Sequence, residues 1–421
     1  MNNKNSLILK NKSYCLVSFA QLISIIGDNV QNIVLMWYIV EKIKSPLMAS
    51  ITLVVNFLPK IFLSSFAGIL ADKFNKKVIL TICDFISCTL VFVMAIFSGL
   101  NFSLYFLILI MFLMSIVDAF FQPVSLSIIP EIVDNRDLLL ANSINTSIVK
   151  VANVIGPMIG GIIAASFSIG VCFRINSISF LIAGICDVFI KTRRHISKNS
   201  DKSKISIKNL SLGFTILRKN KFLLYNTVIG GGFINFFLAP ISLYIPIFIK
   251  NYLRLSGAYY GIVTTSITVG GILISIIIST INKLTREGKI IAMGYTLQGV
   301  SLILFGLSNS IYFLVISMFI FGCSLTIVSV ELRTIYQREI PIEDLGKVTA
   351  ASLTISSVSV PLGYVFGGYI IQKIIINHVL ITTGLCVVIF GLMDIFIEKN
   401  FKYKNIKYKN INNELVDNPN R

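Results

Sequence analysis

The sequence predicts an all-α membrane protein of twelve transmembrane helices, arranged as two pseudo-symmetric six-helix bundles. Three observations carry that expectation. The chain of 421 residues is 55% hydrophobic and only 13% charged, with a mean hydropathy of +0.83. A water-soluble chain carries about a quarter charged residues, so the solvent for most of this one has to be lipid. Many stretches also reach the length that crosses a bilayer core about 30 Å thick at 1.5 Å per residue. Finally, landmarks of the first half recur in the second at a nearly constant offset.

The polar, basic segment 1–13 leads into the first apolar stretch, Tyr14–Tyr38. That stretch is too long and too polar for the core of a cleaved signal, so it is read as a retained span. Leu47–Leu70, Val78–Ser98, Ser103–Phe121, Leu140–Ser166 and Ile169–Ile190 complete a first bundle over 14–190. The stretch 191–221 is polar and basic and reads as a cytoplasmic central loop. A second bundle over 222–398 follows, with spans at Phe222–Ile249, Gly257–Ile281, Ile290–Leu307, Tyr312–Tyr336, Val348–Ile371 and Val379–Ile397. A basic tail, 399–421, closes the chain. These stretches are numbered span 1 to span 12; polar residues blur the ends of spans 4, 5 and 10.

Lys and Arg accumulate in cytoplasmic loops. A cytoplasmic amino terminus puts Lys4, Lys10, Lys12, Lys73, Lys76, Lys77, the central loop, Lys283, Arg286, Lys289 and the basic tail on that side. Only Lys42, Lys44, Lys250, Arg254 and Lys373 fall opposite. Both termini are therefore expected in the cytoplasm of a bacterial cell, with the chain multi-pass in the cytoplasmic (inner) membrane and acting as a monomer. The net charge of +18 reads as this topology signal plus attraction to anionic lipid, and nucleic acid is not an expected partner.

Enzymatic readings find little support. The seven cysteines are scattered without a C-x-x-C pair, and the two histidines, His195 and His378, sit in loops. No metal site and no cofactor are expected from them. A membrane-embedded transferase would need a His/Asp/Glu constellation at one membrane face, and no such grouping occurs. No G-x-x-x-x-G-K-[ST] phosphate loop is present, so an ion gradient is the expected driving force.

The repeat shows at three places. The end of span 2 reads Gly68-Ile-Leu-Ala-Asp72-Lys73-Phe74-Asn75-Lys76-Lys77, and the end of span 8 reads Ile278-Ser-Thr-Ile-Asn282-Lys283-Leu284-Thr285-Arg286-Glu287, a degraded copy. Ile129-Pro130-Glu131 after span 4 matches Ile340-Pro341-Ile342 after span 10, and Gly156-Pro157 in span 5 matches Gly367-Gly368 in span 11. Paired six-helix halves around a midplane site are a transporter architecture.

At these residues the chain resembles the major facilitator superfamily and, within it, drug:proton antiporters of the macrolide-efflux type. Gly68 to Lys77 follows the family signature G-x-L-a-D-[RK]-x-G-[RK]-[RK], with Asn75 at the second glycine. Asparagine tolerates positive φ, so the turn is expected to survive. The resemblance implies a gating latch made by Gly68, Asp72, Lys73, Lys76 and Lys77, with Asp118 and Glu131 as acidic partners for the lysines. A charged turn serving only the loop-charge asymmetry is the plainer alternative. Ala152 to Gly161 in span 5 is close to the antiporter pattern g-x-x-x-G-P-x-x-G-G, carried by Gly156, Pro157, Gly160 and Gly161. In the family this pattern goes with exporters; as bare sequence it is a helix-packing motif. An arginine common near the start of span 4 in such antiporters is missing. Arg174 and Arg333 are the only arginines inside spans.

Charge inside a span costs at least about 2.5–3.5 kcal/mol on insertion scales and tends to mark function. Gln21, Ser24, Asp28 and Gln31 form one polar stripe down span 1. Lys60, just past Pro59 in span 2, lies at similar depth and is a candidate partner for Asp28. Asn142, Thr146, Lys150 (or Asn153) and Pro157 form a second stripe on span 5. Together these suggest a wet cavity. Burial favours a neutral carboxyl and a nearby cation favours a charged one, so Asp28, then Glu331 or Asp118, are the proton-coupling candidates, with static helix-tying ion pairs as the alternative. Asp84, Asp187 and Asp394 read as static charges near helix ends. Trp37 and Tyr38 read as interfacial belt residues, and Phe233, Phe236 and Phe237 as candidate walls of an apolar site. The expected function is export of a small amphipathic compound, such as a macrolide-like antibiotic, in exchange for protons by alternating access. A siderophore or other metabolite exporter of the same fold is the alternative.

Overall fold

The structure, a computed structural model, describes residues 10–42, 45–98, 103–192, 207–219, 221–280 and 287–400. The basic stretch 1–9, positions 193–206 and 220 of the central loop, positions 281–286 of the second signature copy and the tail 401–421 lie outside these residues. Among the described residues, twelve helices are long and apolar enough to cross a membrane. Spans 1 to 6 are Lys12–Lys42, Pro46–Lys73, Lys76–Phe97, Leu104–Ile132, Leu138–Ser166 and Ile169–Val188. Spans 7 to 12 are Lys221–Tyr252, Gly257–Thr280, Glu287–Gly306, Ile311–Glu339, Ile342–Ile370 and Ile376–Asn400.

Helix ends follow local chemistry. Ser103 opens span 4 and Ser310 opens span 10, each hydroxyl accepting a hydrogen bond from the third residue onward, Phe106 and Phe313. This is serine capping of orphan amides at matching places in the two halves. Spans 4 and 10 run past the expected ends at Phe121 and Tyr336, to Ile132 and Glu339. Their last turns are polar and amphipathic, which a helix carries outside the apolar core without penalty. Pro123 and Pro130 stay inside span 4, whereas Pro341 separates spans 10 and 11, so the landmark Ile-Pro pair has diverged structurally.

Asn75 does not take the positive φ expected of it. It is extended, with φ −68° and ψ 114°, and its side chain accepts from Lys77 N to cap span 3. An N-cap satisfies one of the first free amides of a helix, so asparagine serves here as a cap where the family's glycine would serve as a turn. The central loop also contains a helix, Ile207–Lys219, which buries Ile216 and Leu217 and packs Gly213 against the backbone of Lys347 in span 11.

Helix pairings repeat between the halves. Spans 1 and 5, 2 and 4, and 3 and 6 pack together in the first bundle, and spans 7 and 11, 8 and 10, and 9 and 12 in the second. Two cross-bundle pairs, 5 with 8 and 2 with 11, exchange under the same pseudo-twofold. Span 7 departs from regularity: Asn226–Ile234 and Phe248–Tyr252 are π-helical. Such widened turns are rare and cluster at functional places.

Candidate functional site

The glycines explain how the bundles meet. Gly156 and Gly160 of span 5 receive Asn29, Val30 and Ile33 of span 1, and Gly161 lies against Ala258 and Gly261 of span 8. In the second half, Gly367 receives Pro240 and Tyr244 of span 7, and Gly368 lies against Ser50 and Pro46 of span 2. One glycine of each pair thus seats a helix of its own bundle, and the next seats a helix of the other. A Cβ at Gly161 would come to 2.9 Å from Gly261 Cα, closer than side chains are found. Backbones approach this far only where both residues are small.

These cross-bundle contacts gather at the face remote from the chain ends. Lys250 pairs with Glu41 at 3.4 Å and stands 5.4 Å from the Trp37 ring centroid; Gln372 Nε2 donates to Ser45 Oγ at 3.4 Å. Trp37 is therefore not a belt residue. It is 7% exposed because Gly257 of span 8 leaves room for its ring. In the other half of the molecule, Asn142 and Thr146 of span 5 stay exposed. These exposed polar side chains stand in the first turns of span 5, on the side of the chain ends.

Two cavities lie at the centre. The first, about 210 Å³, is lined by Asp28, Gln31, Asn32, Asn56, Lys60, Asp118 and Gln122 with Leu35, Met111 and Met114. Spans 1, 2 and 4 supply this wall. Lys60 Nζ bonds Asp118 Oδ2 at 3.0 Å, not Asp28 as its depth suggested, because span 4 stands beside span 2. Asp28 Oδ1 instead accepts from Asn176 Nδ2 at 3.3 Å, and Asn176 also donates to Gln31 Oε1 at 2.7 Å. Gly27 packs on Asn176 and Ser179, so the residue before Asp28 makes room for its partner. Asn176 is fully buried and is a site residue that sequence reading missed.

The remaining expected residues divide. Ser24 is buried and Gln21 half-buried on span 1, outside the cavity wall. Asn153 accepts from Asn29 at 2.9 Å, tying span 5 to span 1, while Lys150 is half-buried. Glu331 is 3% exposed and lines none of the cavities described; Arg174 and Arg333 are exposed. Lys76 pairs with Glu131 at 2.8 Å and donates to Ser127 O at 3.0 Å, one of the partners expected for the signature lysines. Lys77 sits in the first turn of span 3. Residues 64–73 are helical, but the side chains of Gly68, Asp72 and Lys73 lie outside the described ones.

The second cavity, about 400 Å³, lies between the bundles and is mainly apolar. Phe57 of span 2 faces Tyr260, Phe321 and Tyr364 across it, with Asn235, Ser242 and Thr264 supplying polar points. No charged side chain lines it. Asn56 and Phe57 are neighbours on span 2, one on each cavity. The three phenylalanines expected to wall an apolar site do not line this cavity, although two of them line another, smaller apolar one. Phe233 is 52% exposed against Phe390, and Phe236 and Phe237 line a smaller cleft of about 120 Å³ with Phe366 and Cys386.

Asp84, Asp187 and Asp394 are 2%, 3% and 0% exposed, so all three are interior groups; Asp187 does stand in the last turn of span 6, the helix end expected of it. Asp84 of span 3 and Asp187 of span 6 stand within hydrogen-bonding reach of each other, and a bond between two carboxyl groups needs a proton on one of them.

A sequence profile described as Major Facilitator Superfamily matches residues 17–364. The chain is 23% identical over 367 residues to the uncharacterized MFS-type transporter YvqJ of Bacillus subtilis, covering 86% of each. It is 21% identical to macrolide efflux protein A of Streptococcus pyogenes, covering 82% of this chain and 86% of that one. Among solved structures, the nucleoside transporter NupG superimposes with a TM-score of 0.71 at 13% identity, over 93% of this chain and 100% of that one. That likeness speaks to the fold alone.

Proposed function

The chain belongs to the Major Facilitator Superfamily, and from that premise we propose that it exports a small amphipathic compound, macrolide-like or broader, in exchange for protons. The observation that carries this reading is the adjacency of the two cavities. One presents Asp28, Lys60 and Asp118, and the other presents aromatic and aliphatic walls with a few hydroxyls. An amphipathic cargo would lay its apolar body against Phe57, Tyr260 and Tyr364 and turn its polar end toward Asp28. The similarity to a macrolide efflux protein and the Gly156-Pro157…Gly160-Gly161 run support export.

With the basic loops in the cytoplasm of a bacterial cell, the glycine-sealed face is external, and on this reading the opposite face, between the ends of spans 5 and 8, is the one that opens inward as a cleft. Cargo enters from inside while Asp28 is free of its proton. The bundles then rock, the external face opens, and a proton taken from outside on Asp28 displaces the cargo. The latch around Asp72, Lys73, Lys76 and Lys77 holds the cytoplasmic face shut in that second state; the Lys76–Glu131 pair anchors its base on span 4. One charge moved through 100 mV supplies about 2.3 kcal/mol, enough for roughly fiftyfold accumulation.

Accumulation of a dye and macrolide panel in cells expressing the chain, with and without a protonophore, tests the reading. Expression should lower accumulation of at least one compound, and the protonophore should restore it. Unchanged accumulation across the panel would remove drug export, and export indifferent to the protonophore would remove proton coupling.

A further inference from the structure

A third cavity, about 230 Å³, opens behind the apolar one and shares Asn235, Leu238 and Leu325 with its wall. It runs into the second bundle among spans 7, 9, 10 and 11. Its lining is unusually rich in oxygen for a site enclosed by lipid-embedded helices. Asn226, Tyr295 and Gln298 line it at 1%, 2% and 2% exposure. Among the described residues, Asn226 Oδ1, the Tyr295 hydroxyl and Gln298 Oε1 each lack a hydrogen-bond partner. Buried polar atoms are nearly always satisfied, so three orphaned oxygens on one cavity call for a ligand that supplies what they lack. Two of the three are amide carbonyl oxygens, which only accept. The missing partner is therefore a donor or a cation.

Charge and backbone point the same way. The Asn226 amide nitrogen donates to Asp394 Oδ1 at 3.1 Å, placing a fully buried carboxylate one hydrogen bond behind the cavity wall. Gly230 and Gly231, also in the wall, belong to the π-helical stretch Asn226–Ile234. Irregular backbone at membrane depth is tolerated where it lines a wet cavity, and π-helical turns cluster at functional places. Gly230 has no side chain because the Tyr295 hydroxyl fills that space, which fixes this oxygen at the widened turn. The donor set is all oxygen, with neither sulfur nor imidazole, and suits a hard ion.

We propose that this recess binds a small monovalent cation, sodium in the first instance, through the oxygens of Asn226, Tyr295 and Gln298, with the carboxylate of Asp394 balancing its charge. The seat is distinct from Asp28, and its existence does not depend on the identity of the cargo. An ion here would tie the π-helical turn of span 7 to span 9, and so stiffen the bundle that carries the apolar cavity.

The test is thermal unfolding of the purified full chain in sodium chloride against choline chloride at equal ionic strength, without cargo. Sodium should raise the unfolding midpoint saturably. Gln298→Leu and Tyr295→Phe should fold in choline yet raise the half-saturating sodium concentration about tenfold or more. Methylammonium is the further arm: stabilisation by methylammonium but not sodium would assign the recess to the ammonium end of a cargo and overturn the ion. Equal wild-type midpoints in sodium and choline would overturn the proposal. So would an undiminished sodium response in both variants.

Discussion

Asp28 and Lys60 belong to one polar wall but do not pair, and the difference governs how each responds to substitution. Asp28 is held by Asn176, so Asp28→Asn keeps a hydrogen-bonding group of the same size and removes only the proton-carrying one. Export driven by the proton gradient should fall at least about tenfold at unchanged expression; full export by Asp28→Asn would exclude this carboxyl. Asp84 offers a structural contrast. Asp84→Asn can still donate to Asp187, whereas Asp84→Ala leaves a buried carboxylate without that bond, a loss of about 1–3 kcal/mol that thermal unfolding should register for alanine and not for asparagine. The stripe holding Asp28 was legible because four polar residues at helical spacing fall within eleven positions of one helix. Asn176 was not, since its partners lie 145 and 148 residues away and nothing local in span 6 announces them. The Lys60–Asp118 bond needed the lateral order of spans 1, 2 and 4, which depth along a helix does not encode.

Glycines set the geometry at the level of elements. The sequence marked Gly156, Pro157, Gly160 and Gly161 as a packing or antiporter motif, and the structure divides their work between span 1 and span 8. Gly261, which faces them from span 8, carries no motif and was invisible. A side chain at Gly261 would meet Pro157 O and the Gly161 backbone. Overpacking of this kind costs about 1–3 kcal/mol, and here it acts on only one state of the molecule. Gly261→Val should therefore shift the balance toward the form open at the remote face by about 5–150-fold. Labelling of a cysteine placed at Ser45 by an impermeant thiol reagent, in a background lacking the native cysteines, should speed up accordingly. Unaltered labelling would show that the seal does not depend on these glycines. Span existence and order were legible throughout from hydropathy. Span ends were not where polar last turns continue the helix beyond the apolar core, as in spans 4 and 10, or where asparagine caps a helix at position 75. The π-helical stretches of span 7 were signalled only by the Gly230-Gly231-Gly232 run.

For the whole molecule, the repeat seen in the sequence becomes a pseudo-twofold of helix pairings, with spans 5 and 8 exchanging for 11 and 2. Two similar bundles joined mainly at one face can exchange that seal for one at the other face by a rigid rotation, leaving the interior of each bundle intact. On the proposed export reading, cargo and proton would be bound in cavities whose access changes while their walls do not. Distances between paired spin labels test this rocking most directly, with one pair at Ser45 and Gln372 across the remote face and another at Ser143 and Ser279 across the cleft. As cargo or pH drives the cycle, the first distance should lengthen while the second shortens, in two discrete populations. Distances that stay fixed at both faces, or that grow together, would contradict it.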